Sequence, residues 1–166
     1  MTLELDDIVF RTRALAQTHP FGPRAQAFVN RLAPLERAVQ PVPEMGDWAV
    51  HAVTVGYCLR RVEEIDTGHP SELARLDGED LEERSRALAE ALRVGESQEV
   101  FLYPEQLVID ALDRLIAGEA RRRLGRDAHR DLDPDALEAL EEYIASWTVR
   151  GYALRVAERT DLGLGV

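Results

Sequence analysis

The sequence predicts an all-α protein, a single-domain bundle or orthogonal array of about six helices. Apolar residues recur at intervals of three and four along most of the 166 residues, which is the spacing of one face of a helix. Prolines and glycines interrupt this pattern where helices would start and end. A single helical domain over residues 1–166 is expected, because a chain of this length buries one hydrophobic core.

The first two helices are predicted over residues 5–17 and 23–39. Proline at the start of the second is favourable, because the first helical position needs no backbone N–H. Pro34 lies inside the same helix and is expected to kink or split it. Residues 40–46 contain two prolines and a glycine and are expected to form a loop.

The third helix is predicted over residues 47–66, with Asp47 as its N-cap. Its first half is apolar nearly all round, which is typical of a helix buried at the centre of a fold. Gly68 and Pro70 follow it and are expected to end it.

Three further helices are predicted in the second half of the chain. An acidic amphipathic helix is expected from residue 77 or 78 to residue 94. Residues 99–103 are apolar but cannot build a sheet alone, so we interpret them as a buried connector. Prolines are expected to start the last two helices, over residues 104–124 and 134–160, and Gly125 to end the former.

The composition predicts a cytoplasmic protein. The only cysteine, Cys58, excludes an intramolecular disulfide, and the first residues are acidic where a secretory signal is basic. No apolar stretch approaches the roughly 20 residues that span a bilayer. A net charge of −11 disfavours nucleic acid and anionic lipid, because the field repels polyanions, and favours a neutral or basic partner.

Two segments of the chain resemble each other. GYCLRRVEEIDTG, from Gly56, and GYALRVAERTDLG, from Gly151, agree at seven of thirteen positions without a gap. Chance similarity between two helices of like composition and a duplicated unit relating residues 47–68 to 142–163 both remain open. A glycine inside a helix costs about 1 kcal/mol relative to alanine, so Gly56 and Gly151 predict a close crossing of two helices.

Such a crossing places polar and aromatic side chains together. We expect the tyrosines beside it, with one arginine and one glutamate from each segment, to form a symmetric polar cluster. A small-molecule pocket there would be lined by His51, Tyr57, Arg60, Glu63, Tyr152, Arg155 and Glu158. No Glu-x-x-His motif accompanies the two glutamates, so neither a metal nor a cofactor is predicted.

A basic island lies near the end of the fifth predicted helix. Its candidate anion-binding residues are Arg121, Arg122, Arg126 and Arg130. They are expected either to bind a phosphate or an acidic peptide, or to neutralise the acidic residues 131–142 that follow. Those residues also resemble a calcium loop, but Ala136 replaces the turn glycine and Pro134 starts a helix, so calcium is not predicted.

The leading functional hypothesis is a non-enzymatic helical module that binds a protein or peptide partner, possibly a second copy of itself. The familiar phosphate-binding, dinucleotide-binding, hydrolase and zinc-protease motifs do not occur. Residues 72–99 carry nine acids against four arginines and therefore predict an interacting face. The alternative is a small-molecule binder or enzyme with a pocket between the helices that carry Tyr57 and Tyr152. A DNA-binding regulator that uses the arginine island ranks third.

Overall fold

The structure, a computed structural model, describes residues 4–40, 44–68, 80–96, 98–128 and 134–164. These ranges contain helices and no strand, which confirms the predicted all-α bundle. The helices are α1 (Leu5–Ala16), α2 (Pro23–Val39), α3 (Met45–Thr67), α4 (Leu81–Arg93), α5 (Glu105–Ala128) and α6 (Pro134–Leu164). No helix of the described chain is long and apolar enough to cross a membrane.

Several helix ends follow local sequence signals. Pro23 starts α2 and Pro134 starts α6, as predicted. Gly68 ends α3 with a φ of +75°, a left-handed conformation that favours glycine. Asp80 caps α4 by accepting a hydrogen bond from the backbone N–H of Glu83. The predicted start of this helix, at residue 77 or 78, lies outside the described residues.

Other predicted boundaries are wrong. α3 begins at Met45, so Asp47 lies in its first turn, where a negative charge still complements the helix dipole. α2 is not split at Pro34, which lies inside the helix, and the alternative of a kink there stays a prediction. α5 passes Gly125 and ends at Ala128, and α6 extends past residue 160. A single glycine is a weak predictor of a helix end, because inside a helix it costs only about 1 kcal/mol relative to alanine.

Two helices form the centre of the bundle. α3 is buried continuously from Ala52 to Arg60, which confirms the prediction of a central third helix. α6 packs along α3, and the remaining helices pack on this pair: α1 and α2 contact α3, and α4 and α5 contact α6. The two long helices therefore carry the fold.

α3 and α6 cross at Gly56 and Gly151, as the sequence predicted. A Cβ atom at Gly56 would lie 1.8 Å from the carbonyl oxygen of Thr148, and one at Gly151 would lie 2.0 Å from that of Val53. Such distances are about half of a normal non-bonded contact, so glycine is required at both positions. The contacts are reciprocal, since each carbonyl belongs to the residue three positions before the other helix's glycine.

We expect Gly56→Ala to lower the free energy of unfolding by about 3 kcal/mol, because a side-chain rotation cannot relieve a clash with a backbone carbonyl. Gly118→Ala in α5 is the matched control. There the new methyl group meets only the guanidinium of Arg13, which is free to turn away, and alanine adds about 1 kcal/mol of helix propensity. Urea denaturation compares the two variants, and equal losses of stability would contradict the close crossing.

Candidate functional site

The first polar cluster beside the crossing joins Arg60 and Glu63 of α3 to Tyr152 of α6. Tyr152 donates a hydrogen bond of 2.5 Å to Glu63 Oε1. Arg60 Nη1 donates to the same oxygen at 2.8 Å, to the Tyr152 hydroxyl at 2.9 Å and to the carbonyl of Val100 at 2.7 Å. All three side chains are at most 1% exposed, so this ion pair is enclosed by the core.

The second polar cluster repeats this arrangement with the helices exchanged. Tyr57 of α3 donates a hydrogen bond of 2.5 Å to Glu158 Oε1 of α6. Arg155 Nη1 donates to the same oxygen and to the Tyr57 hydroxyl, both at 3.0 Å. Arg155 differs from Arg60 in having a second carboxylate partner, because its Nε donates a hydrogen bond of 2.9 Å to Glu64 Oε2.

Each cluster is closed by a connecting segment that leads into the next helix. Before α5, the backbone N–H groups of Leu102 and Tyr103 each donate a 2.7 Å hydrogen bond to Glu63 Oε2. Before α2, the N–H of Gly22 donates to the Tyr57 hydroxyl at 3.2 Å. The connector predicted over residues 99–103 is buried at Val100 and Tyr103 but exposed at Glu99, so the prediction of a buried segment is confirmed in part. Its backbone supplies hydrogen-bond donors as well.

Two phenylalanines in these connectors were missed by the sequence reasoning. The Phe21 ring lies 4.8 Å from the Tyr57 ring, and the Phe101 ring lies 5.9 Å from the Tyr152 ring in an edge-on contact. Each phenylalanine precedes a proline by two or three residues, and each proline lies at the start of a helix. That shared pattern was a signal available in the sequence.

The electrostatics of the clusters follow from burial and close pairing. Burial opposes the charge of Arg60, but Tyr152 and Glu63 outweigh it and raise the pKa of the guanidinium. Burial is the main reason that the pKa of Tyr152 lies well above its usual value. The hydrogen bonds from Tyr152 and Arg60 to Glu63 offset part of the cost of burying these polar groups.

All four tyrosines of the chain donate a hydrogen bond to a carboxylate. Besides the two at the crossing, Tyr103 donates to Asp66 at 2.5 Å and Tyr143 donates to Glu36 at 2.8 Å. The pKa of every tyrosine is raised. Burial is the largest cause of this shift, and the hydrogen bonds to carboxylates add to it. Asp66 also accepts hydrogen bonds of 2.7 Å from Nη1 and Nη2 of Arg11. These bonds are the main reason that the pKa of the Asp66 carboxyl is lowered.

His51 and the arginine island lie away from the crossing tyrosines. His51 Nε2 is 3.1 Å from Glu119 Oε1, and Arg122 Nη1 is 3.6 Å from the same oxygen. Burial favours the neutral form of Glu119, but His51 and the nearby arginines outweigh it and lower its pKa. Arg121 is exposed. The side chains of Arg126 and Arg130 lie outside the described residues, so the anion-binding hypothesis stays untested for them.

A shallow cavity of about 250 Å³ lies at the edge of the second cluster. Its lining residues are Arg61, Glu64, Ile65, Gly68, Arg155 and Arg159. Arg155 is the one member of the predicted pocket set among them. In the described part of the chain, no group of three or more histidine, cysteine or acidic side chains is placed to hold a metal ion. Cys58 is fully buried, as predicted, and burial raises its pKa to about 12.

Another cavity, the α4–α6 groove, has a volume of about 290 Å³. It is lined by Arg86, Ala89, Glu90, Arg93, Ser146, Trp147 and Arg150. These residues come from two helices that are far apart in sequence, and the sequence reasoning did not bring them together. A further cavity of about 380 Å³ lies between α2 and the start of α4, and Phe28 is part of its lining. Arg150 links the two, because its guanidinium lies 5.1 Å above the Phe28 ring.

Comparisons of the chain with protein-family models, curated proteins and solved structures found no match.

We expect Glu63→Gln to lower the free energy of unfolding by about 3–5 kcal/mol, because Arg60 would remain buried without its carboxylate. Glu158→Gln makes the same change in the second cluster and should cost less, since Arg155 keeps its ion pair with Glu64. Urea denaturation of both variants checks the order. A larger loss for Glu158→Gln would contradict the stated role of Glu64.

We also expect stability to fall as the pH rises above about 10, the ordinary pKa of tyrosine. Below that pH, folded and unfolded chains both keep the phenolic protons, and no stability is lost. Above it, the unfolded chain releases protons that the folded chain retains, so each further pH unit favours unfolding. Tyrosinate absorbance and helical circular dichroism should change together, and tyrosinate appearing near pH 10 in a fully helical protein would contradict this expectation.

Proposed function

We propose that this protein is a non-enzymatic helical module that binds a protein partner through the α4–α6 groove. The observation that carries the proposal is the content of this groove, where the half-buried indole of Trp147 lies among arginines from both helices. Tryptophan and arginine are the residues most enriched at the energetic centres of protein interfaces. A groove of this composition therefore favours a protein partner.

The polar clusters at the crossing support a non-enzymatic role. A general acid or base must reach the proton that it transfers, directly or through one water molecule. Tyr152 and Glu63 are at most 1% exposed and are hydrogen-bonded to each other and to Arg60. Their geometry favours a structural role, in which they fix the crossing of α3 and α6.

One wall of the groove lies on the segment that the sequence predicted to interact, although the groove itself is lined by three arginines and one glutamate. α4 lies within residues 72–99, the segment whose nine acids predicted an interacting face. Its outer residues alternate in charge, since Arg86, Glu90 and Arg93 are all exposed. Such a rim suits a specific polar contact around an apolar centre. We expect the protein to bind its partner in the cytoplasm, where a free thiol such as Cys58 remains reduced.

Site-specific photo-crosslinking tests this proposal. A crosslinking residue replaces Glu90 in the groove, and the control replaces Asn30, an exposed residue of α2. We expect one defined crosslinked species, a partner protein or a second copy of the chain, from position 90 and none from position 30. Sedimentation at several concentrations identifies the second copy. A strict monomer that crosslinks equally, or not at all, from both positions would overturn the proposal.

A further inference from the structure

We propose that the α4–α6 groove recognises a single carboxylate side chain within an apolar segment of its protein partner, held between Arg86 and Arg150. This inference rests on the proposed function and specifies which chemical group of the partner the same groove binds. The net charge of the chain favours a neutral or basic partner, so the groove would be a local exception to the overall field.

Arg150 is held rigidly without a carboxylate. Its Nε donates to the hydroxyl of Ser85 at 3.0 Å, and Nη2 donates to the backbone carbonyl of Glu82 at 3.0 Å. Its guanidinium stacks over Phe28. Both acceptors are neutral, and no ion pair to Arg150 occurs within the described chain. A fixed arginine fork of this kind loses little conformational freedom when it binds an oxyanion.

Arg86 brings a second positive charge to the same groove. It is exposed on α4 and makes neither a hydrogen bond nor an ion pair with any residue that the structure describes. Burial, followed by repulsion from Arg86, lowers the pKa of Arg150 to about 10. An anion between two arginines would remove this repulsion and pair with both charges.

The rest of the groove limits what that anion is. Arg93 is already paired with Glu142, and the exposed carboxylate of Glu90 disfavours a second negative charge nearby. A volume of about 290 Å³ lies just below the roughly 300–1,000 Å³ typical of small-molecule pockets. One carboxylate on a short side chain fits these limits, and the Trp147 indole favours an apolar neighbour beside it.

A polyanion fits less well than a protein segment. The net charge of −11 repels nucleic acid and polyphosphate at long range. A single carboxylate within an otherwise apolar segment meets less repulsion, because charges are screened beyond about 8–10 Å at physiological salt. The partner is therefore expected to present an isolated Asp or Glu beside an apolar side chain.

Fluorescence of Trp147 gives a direct test. Trp48→Phe leaves Trp147 as the only tryptophan of the chain, and its melting temperature is compared with that of the unchanged protein first. The probe is a short blocked peptide with one glutamate between leucines, and the control peptide carries glutamine in place of that glutamate. We expect a saturable fluorescence change with the acidic peptide alone. Equal changes with both peptides, or none with either, would overturn the inference.

Charge variants locate the site. In the same background we expect Arg86→Gln to weaken binding roughly 10-fold, because a charge-assisted hydrogen bond is lost from an exposed position that leaves the fold intact. Arg121→Gln on α5 removes an equally exposed arginine and should leave binding unchanged. Weaker binding in Arg121→Gln instead would assign recognition to the arginine island and refute this proposal, as would inorganic phosphate that binds more tightly than the peptide.

The two proposals fail in different ways. If the yield of crosslinking from position 90 is unchanged in Arg86→Gln, the groove still binds a partner but does not recognise its carboxylate. If the acidic peptide binds but position 90 yields no defined crosslinked species, recognition of a carboxylate by the groove is supported. The proposed role as a protein-interaction module is then refuted.

Discussion

The close approach of α3 and α6 is the constraint on which the rest of this structure depends. Two backbones meet at Gly56 and Gly151, and each glycine faces a carbonyl of the other helix. Only at this separation do the tyrosines of one helix reach the arginine and glutamate of the other. The four outer helices then pack on a pair whose geometry is set by the absence of two methyl groups.

Buried charge at the crossing fixes which arrangement the helices adopt. Removing ionised groups from water costs several kcal/mol per group, and this cost is offset only where hydrogen bonds are nearly complete. Glu63 meets that condition through Arg60, Tyr152 and two backbone N–H groups. A shift of α3 along its axis would break the bonds of Glu63 to Tyr152 and to the two backbone N–H groups together, so this cluster specifies one register. The paired contacts support the hypothesis of internal duplication, which remains a hypothesis.

The side chains available for binding lie on the outer surface of the bundle and not at the crossing. The side chains that would suit acid–base chemistry are engaged with one another, whereas the α4–α6 groove offers Arg86 and Arg150 without carboxylate partners in the described chain. Both features share α6, because Tyr152 faces the crossing and Arg150, two residues earlier, faces the groove. One helix thus stabilises the fold on one side and presents the proposed binding surface on another.

The helical class, most helix starts and the point where the central helices cross were predictable from the amino-acid sequence, because these depend on local periodicity, on proline and glycine, and on two similar segments. The same reasoning placed the tyrosines, arginines and glutamates of the crossing in one region. The partners of each charge and the contacts of Phe21 and Phe101 were not predictable, because they depend on how distant segments pack. Arg86 and Arg150 are 64 positions apart, and only packing of α4 on α6 brings them together, since no local signal encodes a contact between distant helices.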